Sequence, residues 1–133
     1  MYENTEMTNL PNLHDGFLDG LWLSADKRAR LFVRTVTGDR STLVLSEVQA
    51  LKVDGFKAGN IILDVALITP DNLTTEDIKQ VYDLEDEHTE MVRRLLSEAQ
   101  QQRLSALEIS PSYGAEGKVL FRNIETVSEH VLT

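Results

Sequence analysis

The chain has 133 residues, a formal net charge of −9, and apolar side chains at 41% of its positions. This length predicts a single domain with its own hydrophobic core, and the apolar content excludes an intrinsically disordered chain. The acidic balance argues against a nucleic-acid partner held by its phosphate backbone. Because there is no cysteine, disulfides, thiolate metal sites and cysteine nucleophiles are excluded.

The first half of the chain is predicted to be a flexible leader followed by β-strands. Residues 1–12 are polar and form the leader, and residues 13–133 form a single domain. Strands are predicted for the apolar-rich segments 17–23, 31–36, 42–45, 48–53 and 61–69. The last of these is interrupted only by Asp64, which places it at the centre of a sheet with both faces buried except at Asp64. No apolar stretch approaches the ~20 residues of a membrane helix, so we expect a soluble, cytoplasmic protein that binds no membrane.

A helical region follows Pro70. Thr74 and Asp77 have the spacing of a capping box, which marks a helix start. Apolar residues then recur every three or four positions until about residue 102. A continuous helix over this length would measure ~42 Å, whereas a compact domain of this size is ~36 Å across. The helix therefore either breaks near residues 83–87 or protrudes and packs on a partner.

The remainder of the chain returns to β structure, with strands predicted over 104–109, 118–122 and 124–131 and a turn over 111–117. The fold class is thus α+β, a mainly antiparallel curved sheet or barrel-like domain with one long or broken helical insertion at about 74–102. Segments 43–51 and 119–127 share an apolar pattern broken by a polar pair. Such a break is typical of a bent strand, although short matches of this kind are common in β proteins.

Charge is concentrated in two places. Residues 71–102 carry nine acidic side chains against three basic ones, and this window holds two thirds of the net charge. We expect its densest part to be an interaction surface: Asp83, Glu85, Asp86, Glu87 and Glu90. Arginines alternate with an aromatic residue on the second strand at Arg28, Arg30, Phe32 and Arg34. That face is predicted to be solvated or to dock the acidic helix, rather than to bind single-stranded nucleic acid.

Candidate chemistry is sparse. His14-Asp15-Gly16 is either a site or a structural turn in which the glycine takes a positive φ. Asp64 inside its strand is either functional, at a sheet edge, or paired with Arg30 or Arg34. Glu85-x-x-His88 has a metal-ligand spacing but occurs once where such sites need it twice, so we expect no metal. No glycine-rich phosphate loop occurs, so we expect no cofactor and assign no catalytic residue.

Two short segments carry a family resemblance. Leu13-His14-Asp15-Gly16-Phe17-Leu18 and Ile109-Ser110-Pro111-Ser112-Tyr113-Gly114-Ala115 resemble segments of small bacterial domains of unknown function, some of them grouped with immunity proteins of polymorphic toxin systems. The resemblance implies a β-rich single domain with a binding role, and it transfers no catalytic residue.

Two functional hypotheses follow. The first is a non-enzymatic binding or assembly domain, whose partner is a basic protein or a second copy joined through the helix, with toxin neutralisation as one concrete version. The second is a small ligand-binding or enzymatic β-barrel whose site would combine His14, Asp15 and Asp64 with Tyr113. The second requires these side chains to meet around a pocket.

Overall fold

The computed structural model describes residues 10–129, which form one antiparallel sheet and two α-helices. The strands are β1 (Phe17–Ser24), β2 (Arg28–Arg34), β3 (Arg40–Ser46), β4 (Ala50–Asp54), β5 (Asn60–Ile68), β6 (Ser105–Tyr113), β7 (Glu116–Phe121) and β8 (Asn123–Ser128). Between β5 and β6 lie a short 3₁₀ turn at Pro70–Asn72, α1 (Thr75–Tyr82) and α2 (Thr89–Gln101). Most of the predicted leader falls outside the described residues, and Leu10 near its end packs against the core.

The sheet is strongly curved and is not closed into a barrel. Neighbouring strands are antiparallel throughout, in the order β4-β7-β6-β5-β1-β2-β3-β8. The connections from β3 to β4 and from β7 to β8 step from one end of this order to the other across only a few residues. The two ends of the sheet must therefore lie close together. The predicted α+β class with a curved antiparallel sheet is confirmed.

The two segments with the shared apolar pattern, 43–51 and 119–127, are each other's partners. Both bend at their polar pair, so that β3 pairs with β8 before the bend and β4 pairs with β7 after it. At the bend Glu47 takes a φ of 53°, and the Arg122 N–H donates to the Ser46 carbonyl at 3.1 Å. The expected change of strand phase at these polar pairs is therefore present in both segments.

Two hydrophobic cores divide the sheet into halves with different surroundings. An inner core lies between the halves and includes Leu31 from β2 and Phe121 from β7. An outer core lies between the helices and the far side of β4, β6 and β7, and includes Ile78, Val92 and Leu120. We call β4, β5, β6 and β7 the covered half, and β1, β2, β3 and β8 the open half, because the helices pack only on the former.

The central position predicted for the 61–69 strand is confirmed, since β5 is fourth of eight in the sheet order. Its predicted burial on both faces is wrong, because Leu63 is 45% exposed; Asp64, the expected exception, is exposed as well. The helices reach β5 only at its end, through Ile68. The strand segments buried on both faces are instead β7 and the first half of β6, which lie beneath the helices.

The helical insertion breaks where the apolar spacing is weakest. Thr74 caps α1 as predicted: its hydroxyl accepts from the Asp77 N–H, and its own N–H donates to the Asp77 carboxylate at 2.9 Å. Asp83 then takes a left-handed φ of 57°, and the Leu84 N–H donates back to the Lys79 carbonyl, which ends the helix. The break alternative is therefore the one observed, and no long helix protrudes from the described chain.

The turn predicted over 111–117 is shorter than expected. The strand β6 continues through Pro111 to Tyr113, because this proline lies at a register shift where no ladder hydrogen bond is required. Gly114 takes a φ of 90° and passes so close to Asn60 that a Cβ atom would overlap the amide oxygen. The buried Asn60 amide accepts from the Ala115 N–H at 3.0 Å and thereby fixes this turn to the start of β5.

Candidate functional site

The His14-Asp15-Gly16 turn lies on the surface. The Nδ1 atom of His14 lies 2.6 Å from the Leu63 carbonyl oxygen, and since a carbonyl only accepts, this nitrogen donates. The Nε2 atom lies 3.5 Å from the Asp15 carboxylate, and both side chains are 60% exposed. Within residues 10–129 no other carboxylate lies within 4 Å of the imidazole. The arrangement attaches the turn to β5 at the surface.

The backbone conformation of this turn differs from the one that the sequence predicted. Asp15, not Gly16, takes the positive φ of 62°, and its N–H donates to the Ile62 carbonyl at 2.9 Å. Gly16 is required for another reason, since a Cβ atom there would overlap the carbonyl oxygen of Arg34. The expectation that the glycine takes the positive φ is wrong, whereas the structural role of the turn is evident.

The other two candidate site residues lie on the same strand pair but do not converge on a cavity. Asp64 is exposed on β5 opposite Ser110, and within the described chain it forms no ion pair with Arg30 or Arg34. Tyr113 is half-exposed at the end of β6, with the Lys57 ammonium 5.4 Å from its ring centre. The four candidates of the barrel hypothesis are therefore exposed surface groups, of which His14 and Asp15 lie within 4 Å of each other.

A polar groove of about 530 Å³ lies elsewhere, between α1 and the covered half of the sheet. Carboxylates dominate its lining, which includes Asp54, Glu76, Asp83, Asp86, Glu108 and Glu116. Its three lysines are already ion-paired: Lys52 with Asp83 at 2.8 Å, Lys79 with Asp86 at 2.9 Å, and Lys118 with Glu108 at 2.9 Å. None of the predicted candidates His14, Asp15, Asp64 or Tyr113 lines the groove.

Lys118 at the floor of the groove is a buried cation that the sequence did not reveal. Its side chain is 6% exposed, and its Nζ atom lies 2.7 Å from Asp77 Oδ1 and also donates to the Gln80 amide oxygen. Burial lowers the pKa of Lys118, but hydrogen bonds to Asp77 and Glu108 outweigh this and raise it above its ordinary value. Burial likewise raises the pKa of Asp77, and the hydrogen bonds from Lys118 and Thr74 bring it below its ordinary value.

This cluster joins α1 to β6 and β7. A sequence signal for it existed, because Glu108 and Lys118 each interrupt an apolar strand and face each other across the β6–β7 pair. Only the fold shows that Asp77 of the capping box completes it. All polar atoms of Lys118 and Asp77 that face the groove floor are engaged, so the cluster fixes the helix rather than presenting a reactive group.

The acidic patch, which we define as Asp83, Glu85, Asp86, Glu87 and Glu90, lies on the connection between α1 and α2 and on the first turn of α2. All five side chains are exposed. The Lys79 ammonium hydrogen-bonds Asp86 and lowers the pKa of that carboxyl. Glu85 and Glu87 have no cationic partner within the described residues. The His88 ring accepts from the Glu85 N–H at 3.2 Å, which is a local turn contact and not metal geometry.

The open face, which we define as the outer surface of the open half, carries arginines and apolar side chains, and no element within residues 10–129 covers it. The Arg30 guanidinium lies 4.7 Å from the centre of the Trp22 ring, and that of Arg34 lies 4.4 Å from the Phe17 ring. Arg34 also pairs with Asp19 rather than with Asp64. The expectation of a solvated face holds, whereas docking of the chain's own acidic helices on it is wrong, because they pack on the covered half.

No group of three or more histidine, aspartate or glutamate side chains in residues 10–129 is arranged to hold a metal ion. In the same part of the chain, neither helix is long and apolar enough to cross a bilayer. Comparison with protein-family models, curated proteins and solved structures finds no significant match.

Proposed function

We propose that this chain is a non-enzymatic binding domain that recognises a basic protein through the acidic patch and the adjoining polar groove. The observation that carries the proposal is the excess of carboxylates at this surface, where each lysine already has a carboxylate partner. Carboxylates such as Glu85, Glu87 and Glu116 have no such partner within residues 10–129. Lysine or arginine side chains of a partner would therefore meet uncompensated negative charge in a concave surface.

The shape of the surface supports the same conclusion. The patch stands at the rim of the groove, and Asp83 and Asp86 belong to both. The Lys118 cluster holds α1, and with it this rim, on a rigid sheet. A preorganised acidic rim loses little conformational freedom on binding and steers a cationic partner by its field.

Toxin neutralisation in the bacterial cytoplasm is the concrete version that the resemblance of the His-Asp-Gly segment supports. Nucleases that act on anionic substrates carry basic clefts, and an acidic protein surface is complementary to such a cleft. A toxin gene next to the gene for this chain would support this version, and neighbouring genes of unrelated metabolism would argue against it.

Two observations favour the acidic surface over the alternative hypotheses. A β-barrel enzyme using His14, Asp15 and Asp64 needs a shared pocket, whereas these groups are exposed and do not line the polar groove. The overhanging helix that suggested a homodimer is absent from residues 10–129, since the helical insertion is broken at Asp83.

A charge-matched pair of variants tests the proposed function. The probe is a lysine-rich synthetic peptide of about 20 residues, titrated into the full chain by calorimetry at low salt. The patch variant Glu85→Gln/Asp86→Asn/Glu87→Gln should weaken binding about tenfold, since it removes three charges at the proposed site. The control Asp39→Asn/Glu47→Gln/Glu129→Gln removes three charges elsewhere, and it should change affinity less than about twofold.

Two results would overturn the proposal. Equal weakening by the two variants would mean that the peptide responds only to net charge. Absence of saturable binding at low salt would mean that the surface does not bind cationic chains at all.

A further inference from the structure

We propose that the open face binds a second copy of this chain, so that two open halves pack face to face around a two-fold axis. This inference goes beyond the proposed function and is independent of it, since it concerns the half of the sheet that lies away from the acidic patch.

The open face has the composition of an interface. Strand register brings Gly20, Phe32, Thr42 and Val127 into one row across β1, β2, β3 and β8. Phe32 lies against Gly20, where a side chain would crowd its ring, and Val127 is 47% exposed. Tryptophan, phenylalanine and arginine are the residue types enriched at the centres of protein interfaces.

The adjacent row contains the charges that select a second copy as the occupant. It runs Trp22, Arg30, Val44, Glu125, again one residue from each strand. Trp22 is 55% exposed, and Arg30 stacks on it and donates to the Ser24 hydroxyl. Within the described residues neither Arg30 nor Glu125 has an ion-pair partner. The row therefore has a free cation toward one side and a free anion at the other.

Such a row is complementary to itself. A two-fold axis can run parallel to the strands, above the gap between β2 and β3. Rotation about it places β2 opposite β3 of the second copy and β1 opposite β8, without shifting the row along the strand direction. Strands in a sheet lie ~4.8 Å apart and packed sheets ~10 Å apart. Arg30 would then face the region of Val44 and Glu125 of the partner subunit, within reach of a long arginine side chain. The symmetric contact forms two Arg30–Glu125 pairs around an apolar centre, and isologous dimers of this kind are the commonest oligomers.

The single tryptophan of the sequence reports on this contact directly. Sedimentation velocity of the full chain, from low micromolar to several hundred micromolar concentration, should show a monomer–dimer equilibrium. Over the same concentrations the emission of Trp22 should shift to the blue, and its indole should become less accessible to the quencher acrylamide, because dimerisation removes water from the indole.

Charge reversal tests the symmetry. Arg30→Glu sets a new carboxylate against Glu125 of the partner subunit, and Glu125→Arg places two guanidinium groups together, so each single variant should weaken the dimer at least about tenfold. An equimolar mixture of the two variants should form a 1:1 heterodimer, since both contacts then join opposite charges: the introduced glutamate faces the introduced arginine in one contact, and the native Arg30–Glu125 pair forms in the other. The control variants Arg94→Glu and Glu98→Arg, on the exposed face of α2, should dimerise as wild type does.

The double variant Arg30→Glu/Glu125→Arg completes the test, because both symmetric pairs are then restored with their charges exchanged. It should dimerise more tightly than either single variant, by about tenfold. This rescue is specific to a contact between the two positions across a two-fold axis, since a loss of folding or of general solubility would not be repaired by the second substitution.

The results of these experiments distinguish a second copy of the chain from a different protein as the occupant of the open face. A strict monomer at several hundred micromolar overturns the proposal and leaves the open face to a different protein. A dimer that both single variants retain, or one that the double variant does not recover, places the contact elsewhere on the chain and also overturns it. Thermal melts of each variant confirm that it is folded before its association is compared.

Discussion

The covered and open halves of the sheet belong to one curved structure but differ in what lies on their outer sides. In β7 every residue after Glu116 is buried, since the inner core lies on one side and the helices on the other. In β2 buried and exposed residues alternate, because no helix of the described chain packs on its outer side. Burial on both sides makes the covered half a rigid base for α1, whereas the open half offers an unoccupied surface.

The two halves also treat charge differently. The covered half buries the Lys118 ammonium and surrounds it with carboxylates of Asp77 and Glu108. The open half leaves Arg30 outside, stacked on an exposed ring. A buried ion pair is strongly destabilising when one partner is removed, while an exposed cation can be replaced at little cost to the fold. The contrast makes the groove floor a structural element and the open face a candidate for association.

The largest expected effect is the loss of the buried cation. Lys118→Met should lower the free energy of unfolding by about 4 kcal/mol, because it leaves the Asp77 and Glu108 carboxylates without their cation at a buried position. Urea denaturation followed by circular dichroism measures the change. The control Lys52→Met removes a cation at the groove rim, whose partners are exposed, and it should remain close to wild type. Equal losses would remove the distinction between floor and rim.

The pH profile of the wild type sharpens this prediction. The folded pKa of Asp77 lies below the ordinary 3.8, so its contribution to stability is present above that pH and is lost as the pH falls through the lowered value. The folded pKa of Lys118 lies above 10.5, so its contribution persists below that pH and is lost only as the pH rises through the raised value. In Asp77→Asn the acid-side fall should be shallower. An unchanged slope would show that other carboxylates dominate it.

The next effect compares the outer faces of the two halves. Leu120→Ala, beneath the helices, should cost about 3 kcal/mol, since it opens a cavity between sheet and helix. Val44→Ala, on the open face, should cost less than about 1 kcal/mol in the monomer, because solvent already reaches that surface. Both are measured by urea denaturation at low micromolar concentration. Similar losses would mean that the open face is covered within the monomer.

Sequence reasoning succeeded where the controlling interactions are local. Alternating residues predicted β2, the Thr74–Asp77 spacing predicted the helix cap, and the weak apolar spacing near residues 83–87 located the break. It failed where contacts join distant segments. The burial of β6 and β7 depends on helices placed by the whole sheet order, which no local pattern contains.

The candidate surfaces also divide into features that local sequence predicts and features that depend on contacts between distant segments. The exposure of the acidic patch followed from composition, since a run of carboxylates has no means of burial. The Lys118 cluster needed a contact between residues 77 and 118, and the Asn60 hub needed one between residues 60 and 115. The sequence did not predict that Trp22 is exposed, because an isolated aromatic residue in a strand is usually buried. Only the register that aligns Trp22 with Arg30 identifies it as part of a surface.

The smallest expected effect is a gain in stability rather than a loss, and it compares the inner and outer sides of the open half. The hydroxyl of Thr126 is buried on the inner side, opposite Leu43, and within residues 10–129 it has no hydrogen-bond partner. Thr126→Val keeps the β-branched shape and removes the unsatisfied group, so it should raise the free energy of unfolding by about 1 kcal/mol. Thr42→Val, the same change on the outer side, should have no comparable effect because solvent satisfies that hydroxyl. Urea denaturation of both variants measures the difference. If Thr126→Val instead destabilises the chain, the Thr126 hydroxyl has a hydrogen-bond partner in the folded protein. The inner side of β8 is then hydrated despite its burial.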